Sequence, residues 1–397
     1  MVNPILNILG TRRGLGDERR PWSASTLKEI EDCPSRFVLK RGTYPEIWSR
    51  KGFPSRITSS QIKGIVIHKV VSNIMNYVQS SEESPEISVS LYLRTHGGYL
   101  DILNITLEKE LDSISSNPRA RALLESIRSE VKSDLSEMRS QVQFFVKESI
   151  FKSTGSTNLN RSQGARVGIQ DRSSLRRINS EFKIFNEEFN VEGYLDLLII
   201  DDPVDHIIDY KSAKSVRDEY WDQLKLYGWL WSKDERNQKE SNCNLVLVTG
   251  NGSSQSLLFE PDEHNKFEKR LIERLAKAES SLASSVVEAR PSAENCKFCP
   301  VKAICGDYWS LLETSSSDEK WVDLRVKTLA TVGGDSWRVL LKSNEKEAIL
   351  VFGDKNDGSI EPDQEFRILN AFMKMDEELG PIIRLGQNSE IFRFVSD

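Results

Sequence analysis

Between residues 182 and 259 the apolar residues change from the period of strands to that of a helix and back, and this alternation dictates the class of fold. Residues 182–189 alternate in part, 194–200 are nearly continuous in apolar side chains, and 204–210 follow a turn at Asp202-Pro203. An amphipathic helix is expected over 216–231, then strands at 245–248 and 256–259, and a helix from Glu263 to about Val287. Strands that bracket a helix, with further helices packed outside them, predict an α/β core.

The flanking segments read differently. Residues 1–22 are expected as a loose leader. Ser23 or Ser25 can cap a short helix running through Leu27 and Ile30 to Cys33-Pro34. A second helix, opening near Ser59 or Ser60, carries Ile62, Val66, Val70 and Ile74 on an apolar stripe with Gly64 and His68 among them. Residues 85–150 read as a helical insertion, in which Leu124, Ile127, Val131, Leu135, Met138 and Val142 recur at helical spacing. Residues 153–180 then turn polar and are expected to form a mobile loop. Arg161, Arg166, Arg172, Arg176 and Arg177 stand there against one acid, Asp171. Such a run serves either as a solvated linker or as an arm that contacts phosphates. After a linker at Ser315 to Ser317, five strand-like segments over 318–397 predict a small all-β barrel of the OB type.

A chain of 397 residues exceeds one compact core, so two or three domains are expected. With 38% hydrophobic and 29% charged residues the composition is that of a globular chain rather than a disordered one. No stretch approaches the roughly 20 apolar residues a membrane span needs. The apolar patch at residues 5–9 is too short for a signal peptide's apolar region, so a cytoplasmic location is expected. A net charge of −6 argues against a protein that merely coats nucleic acid, while leaving room for local basic patches.

Chemistry concentrates in two segments, Gly193-Tyr194-Leu195-Asp196 and Asp209-Tyr210-Lys211. Residues i and i+2 of a strand face one side, so Asp209 and Lys211 can point together at one site. Asp196 on a neighbouring strand can complete a pocket of hard oxygen ligands suited to Mg²⁺ or Mn²⁺. Such a metal activates a water and offsets charge on a phosphoryl group, and Lys211 would position or deprotonate that water. Glu181 offers an auxiliary acid.

Here the chain resembles the PD-(D/E)XK nuclease superfamily, and in particular its RecB-like and Cas4-like members. Asp196 stands at the family's first acid and Asp209-Tyr210-Lys211 at its (D/E)XK triplet. Gly64-Ile65-Val66-Ile67-His68 is similar to the helical Gly-x-x-x-His element, and Gln223-Leu224-Lys225-Leu226-Tyr227 to the Gln-x-x-x-Tyr helix after the lysine. The resemblance spans about residues 23–310 and implies a restriction-endonuclease-like core, a mixed central sheet flanked by helices. It implies Asp196, Asp209, Lys211, Gln223 and Tyr227 as the catalytic set, with His68, Asp196, Asp209 and Tyr210 at the metal. The implied activity is a metal-dependent deoxyribonuclease acting on single-stranded DNA or duplex ends, in repair, recombination or defence against foreign DNA. The rival reading is a catalytically silent DNA-binding or scaffold subunit of a helicase–nuclease or defence complex. Because the chain has no P-loop sequence, helicase or ATPase action would come from a protein partner.

There are five cysteines, and an odd count in a reducing compartment argues against a disulfide framework. Cys296-x2-Cys299-x5-Cys305 places three thiolates near one site, which by spacing alone suits half of a zinc site or a cluster site. With Cys33 upstream of the core, the arrangement resembles the nuclease domains of the Cas4, AddB and Dna2 type. That resemblance implies a structural [4Fe-4S] cluster on Cys33, Cys296, Cys299 and Cys305, with Zn²⁺ on the same thiolates as the alternative. Cys243 lies in an apolar strand and reads as a core residue.

Overall fold

A computed structural model describes residues 5–9, 21–50, 52–154, 177–201, 204–237, 242–284, 286–314, 320–353 and 358–395. The chain begins with a short strand, β1 (Leu6–Leu9), followed by helices α1 (Ala24–Asp32), α2 (Pro34–Arg41) and α3 (Ser59–Ser80). Both α1 and α3 open with a capping box, on Ser23 with Thr26 and on Thr58 with Gln61. Pro34 ends one helix and opens the next, where its missing N–H costs nothing. The insertion forms α4 (Pro85–Thr95), α5 (Tyr99–Ile114), α6 (Leu124–Ser133) and α7 (Leu135–Thr154).

The core sheet consists of β2 (Arg177–Asn186), β3 (Val191–Ile200), β4 (Asp205–Lys211), β5 (Cys243–Thr249) and β6 (Ser253–Phe259), in that spatial order. Only β4 and β5 run parallel, so the sheet is mixed; the crossover between them is α8 (Asp218–Ser232). Helix α9 (Pro261–Ala283) follows. One face packs on α3 and the insertion, through Val66, Val70, Leu107, Val131, Val142 and Phe145. The other packs on α1, α8 and α9, through Leu27, Leu224, Trp229, Phe267 and Leu271. Cys243 is buried in this second layer, as its strand context predicts.

Two expectations change. Residues 177–180, assigned to the loop, are the first part of β2, paired with residues 197–200 of β3. Leu6–Leu9, assigned to a loose leader, pair in parallel with Phe392 to Val395 in the last strand. That strand is long and leaves an edge open beyond its other partner, which a short strand can cover.

After α10 (Ala293–Lys297) and α11 (Gly306–Thr314), the strands β7 (Trp321–Gly333), β8 (Ser336–Leu341), β9 (Glu347–Val351), β10 (Glu365–Asp376) and β11 (Gly380–Val395) complete the chain. Each pairs with two others in the ring β10–β7–β8–β9–β11–β10, a closed five-stranded barrel of OB-like form. Val326, Trp337, Leu350, Phe352, Phe366 and Ile383 fill it.

Polar anchors join the barrel to the core. Arg119, 3% exposed, grips Glu390 of β11 with two bonds of 2.7 and 2.9 Å. Its remaining nitrogen donates to the carbonyls of Pro54 (3.0 Å) and Pro300 (2.6 Å). One buried guanidinium therefore ties the insertion, the α2–α3 connection, the cysteine loop and the barrel together.

Candidate active site

The site forms where β3 and β4 separate. Their pairing ends at Leu197 opposite Ile208, and one step further the register brings Asp196 opposite Asp209. Instead of a ladder bond there, the N–H of Tyr210 donates to Asp196 Oδ2 at 2.7 Å. The neighbouring strand is distorted at the same level. Ile178 belongs to the first core layer, whereas Phe182 and Ile184, of the same parity, face the second; Leu195 and Leu197 differ likewise. Both strands thus exchange faces at Glu181 and Asp196, and Glu181 adopts a φ of +50°. Such strain in a non-glycine residue is characteristic of functional positions.

Helix α3 supplies His68, whose Nδ1 lies 3.2 Å from Asp196 Oδ1. Gly64, one turn earlier, faces Ser212, and an added Cβ would meet its Oγ at 3.3 Å. The Gly-x-x-x-His spacing therefore reflects close approach of the helix to the end of β4. His68, Glu181 and Asp196 bring a ligand atom each to within 4.8 Å of one another, a set of nitrogen and oxygen donors suited to a divalent cation. Glu181, expected only as an auxiliary acid ahead of the first strand, stands inside β2 as a full member of this group.

Asp209, 1% exposed, approaches from the α8 side with Lys211. Lys211 Nζ lies 2.7 Å from Asp209 Oδ2 and donates to Gln223 Oε1 at 3.1 Å; Gln223 Nε2 in turn donates to the Tyr227 hydroxyl at 2.5 Å. The Gln-x-x-x-Tyr spacing is thus a relay along one helix face that fixes the lysine. Tyr227 reaches its place because position 193 is glycine: a Cβ there would lie 2.8 Å from two of its ring carbons.

The charges separate the two acids. Burial would raise Asp196, but His68, Lys211 and the Tyr210 N–H outweigh it and hold the carboxyl below its ordinary value. Burial and the Asp196 charge push Asp209 up to about 6 despite Lys211. Burial would lower His68, yet Asp196 and Asp209 raise it to about 9. The same carboxylates overcome the burial of Lys211 and keep its ammonium above the ordinary value. Glu181 is raised, first by burial and then by Asp196. Asp209 Oδ2 is buried and ion-paired with Lys211 Nζ at 2.7 Å. A histidine and buried carboxylates gathered at one point are a donor set that fits a divalent cation.

Tyr210 directs its side chain away from this point. Its hydroxyl meets Ser149 Oγ at 2.5 Å and its ring stacks on Phe145, leaving its backbone as the part that faces the acids. Arg177 begins β2 and is exposed. Arg161, Arg166, Arg172 and Arg176 lie outside the described residues. All four cysteines of the bracket line one cavity with Arg36, Lys302 and Tyr308, and the Arg290 N–H donates to Cys33 Sγ at 3.4 Å.

A comparison with curated proteins found no match. Among solved structures, similarity extends to a murine DNA binding protein bound with double-stranded DNA, 11% identical, covering 54% of this chain and 92% of that one with a TM-score of 0.17. It extends also to SSO0001, 18% identical, covering 50% of this chain and 80% of that one with a TM-score of 0.25. Scores of this size carry no structural argument. The family model of the PD-(D/E)XK nuclease superfamily, however, matches residues 21–306, which include every element of the site and of the core sheet. With the acids, the lysine, the helical histidine and the glutamine–tyrosine pair at one point, the chain belongs to the PD-(D/E)XK nuclease superfamily.

Proposed function

We propose that the protein is a deoxyribonuclease that hydrolyses single-stranded DNA or duplex ends, with Mg²⁺ or Mn²⁺ held by His68, Glu181, Asp196 and Asp209. The observation that carries this reading is the convergence of the Asp209–Lys211–Gln223–Tyr227 relay on the histidine–carboxylate group. A silent scaffold would have no use for a lysine held by Asp209 and by a glutamine that Tyr227 fixes in turn. When bound, the cation supplies a more acidic water and offsets phosphate charge. Lys211, charged and pinned, orients the attacking water and neutralises a phosphoryl oxygen. Gln223 and Tyr227 keep the ammonium aimed. The His68–Asp196 contact keeps the imidazole turned toward the acids.

The four cysteines support a [4Fe-4S] cluster. All four line one cavity, and their order, one before the core and three after it, resembles that of the Cas4, AddB and Dna2 nuclease domains, with tetrahedral zinc on the same thiolates as the alternative. The cluster's role is to close the segment between Cys33 and Cys296 and to brace the loop on which the barrel docks. The barrel's closed form suits single strands or a protein partner, and a helicase or ATPase would supply unwound DNA.

Asp209→Ala and Lys211→Ala are expected to abolish metal-dependent cleavage while leaving DNA binding intact. Surviving cleavage in either variant overturns the site assignment. Protein purified without oxygen should be brown and contain iron; a colourless protein loaded with zinc rejects the cluster.

A further inference from the structure

Among the described residues no element covers the sheet face beside the acids, and that face carries aromatic rings. Lys183 pairs with Tyr194 and Phe185 with Glu192, so these four residues share one face of β2 and β3. The same register continues to Glu181 and Asp196, two residues further along each strand. Tyr194 is 49% exposed and Phe185 46%, whereas large apolar side chains on the opposite face, Ile184 and Leu195, are fully buried. Lys183 Nζ stands 5.4 Å from the centre of the Tyr194 ring and 3.0 Å from Glu192. Two residues of strand span about 6.7 Å, comparable to one nucleotide of an extended single strand.

We infer that Tyr194 is a base-stacking platform that positions the nucleotide next to the scissile phosphate, with Lys183 beside it to meet the following phosphate. The inference rests on the deoxyribonuclease reading and deepens it: the occupant is a single strand of DNA, because a base can lie on the ring only when it is unpaired and unstacked from its neighbours. Three features favour this occupant over a protein. The face is continuous with the catalytic group, the ring is amphipathic and half-exposed, and a cation stands at its hydroxyl end, 5.4 Å from the ring centre. Phe185, a row further out, extends the platform by one more base. Sequence patterning alone reads Tyr194 as one more apolar residue of a buried strand; its exposure follows from the exchange of faces at Asp196.

The test uses the full chain carrying Asp209→Ala, so that DNA is bound but not cut, and single-stranded oligonucleotides in which one abasic nucleotide is walked along the sequence. With Tyr194 present, one or two abasic positions should weaken binding by roughly 5- to 150-fold, the range that corresponds to loss of an aromatic–base stack. Tyr194→Ala should weaken binding to intact DNA by a similar factor and erase the dependence on abasic position, while Tyr194→Trp preserves both. In the cleaving protein, Tyr194→Ala should also raise KM more than it lowers kcat. An abasic profile that is the same with tyrosine and alanine overturns the platform while leaving the nuclease reading in place. Failure of the unsubstituted protein to bind or cut any single-stranded DNA overturns both.

Discussion

Gly193→Ala adds one methyl group and removes no polar group of the site, and it should nonetheless disable it. The new Cβ would lie 2.8 Å from Cδ1 and Cε1 of Tyr227 and 3.0 Å from a methyl of Leu230. Carbon atoms rest in contact at about 3.5 Å or more, so the ring must withdraw by roughly 0.7 Å or the strand must move by as much. Tyr227 holds Gln223 at 2.5 Å and Gln223 holds Lys211 at 3.1 Å, so the displacement passes to the ammonium. Overpacking of this kind costs about 1–3 kcal/mol of stability, and a misplacement near 1 Å can lower the chemical step by about 100-fold. The assay is kcat on single-stranded DNA under saturating metal, alongside urea denaturation to fix the folded fraction. Tyr227→Phe supplies the comparison, since it keeps the ring and removes the hydroxyl. If both substitutions act through the same relay, Gly193→Ala adds little to Tyr227→Phe. An unchanged kcat in Gly193→Ala, or losses in the two variants that simply multiply, would refute the relay.

Other outcomes follow from the same geometry. Arg119→Ala should cost about 3–5 kcal/mol by urea denaturation, because it leaves Glu390 charged and buried; removing both charges together, as Arg119→Met with Glu390→Leu, should cost less than either single loss. His68 carries its proton up to about pH 9 before a cation arrives, so metal uptake between pH 6 and 9 should release about one proton. The apparent affinity for Mn²⁺ then rises close to tenfold per pH unit in that window, and the slope is lost in His68→Ala. Glu181→Gln should weaken metal binding without changing the fold, measured by calorimetry; an unaltered affinity would remove Glu181 from the ligand group. Cys33→Ser should lower iron content and loosen the barrel's contact with the cysteine loop, read by faster hydrogen exchange in β10 and β11.

Local patterns in the sequence pointed to most of the residues that the structure brings to one place. The motifs of His68, Asp209-Tyr210-Lys211 and Gln223 with Tyr227 are each set by spacing on one strand or one helix face, and spacing is visible in a sequence. What could not be read depends on contacts between distant segments. The exchange of faces at Glu181 and Asp196 arises from two strands distorting together, and parity along either strand alone conceals it. Gly193 stands in the first acidic segment without a legible role, because its reason lies 34 residues downstream, at Tyr227. The β1 strand was hidden for a similar cause: a four-residue apolar patch is too short to announce a partner near the other end of the chain. Arg119 looks like any polar helix-flanking residue until Glu390 is brought beside it. In the barrel the five strands were legible from their turns, while the closing pair β9–β11 was not.

The most direct test of the central claim is a cleavage assay with end-labelled single-stranded, duplex and circular DNA, run with Mg²⁺, with Mn²⁺ and with excess chelator. The proposed function predicts cleavage of the single-stranded substrate with either metal, none with chelator, and none by Asp196→Ala under any condition. Metal-independent cleavage, or cleavage that persists in Asp196→Ala, would contradict it.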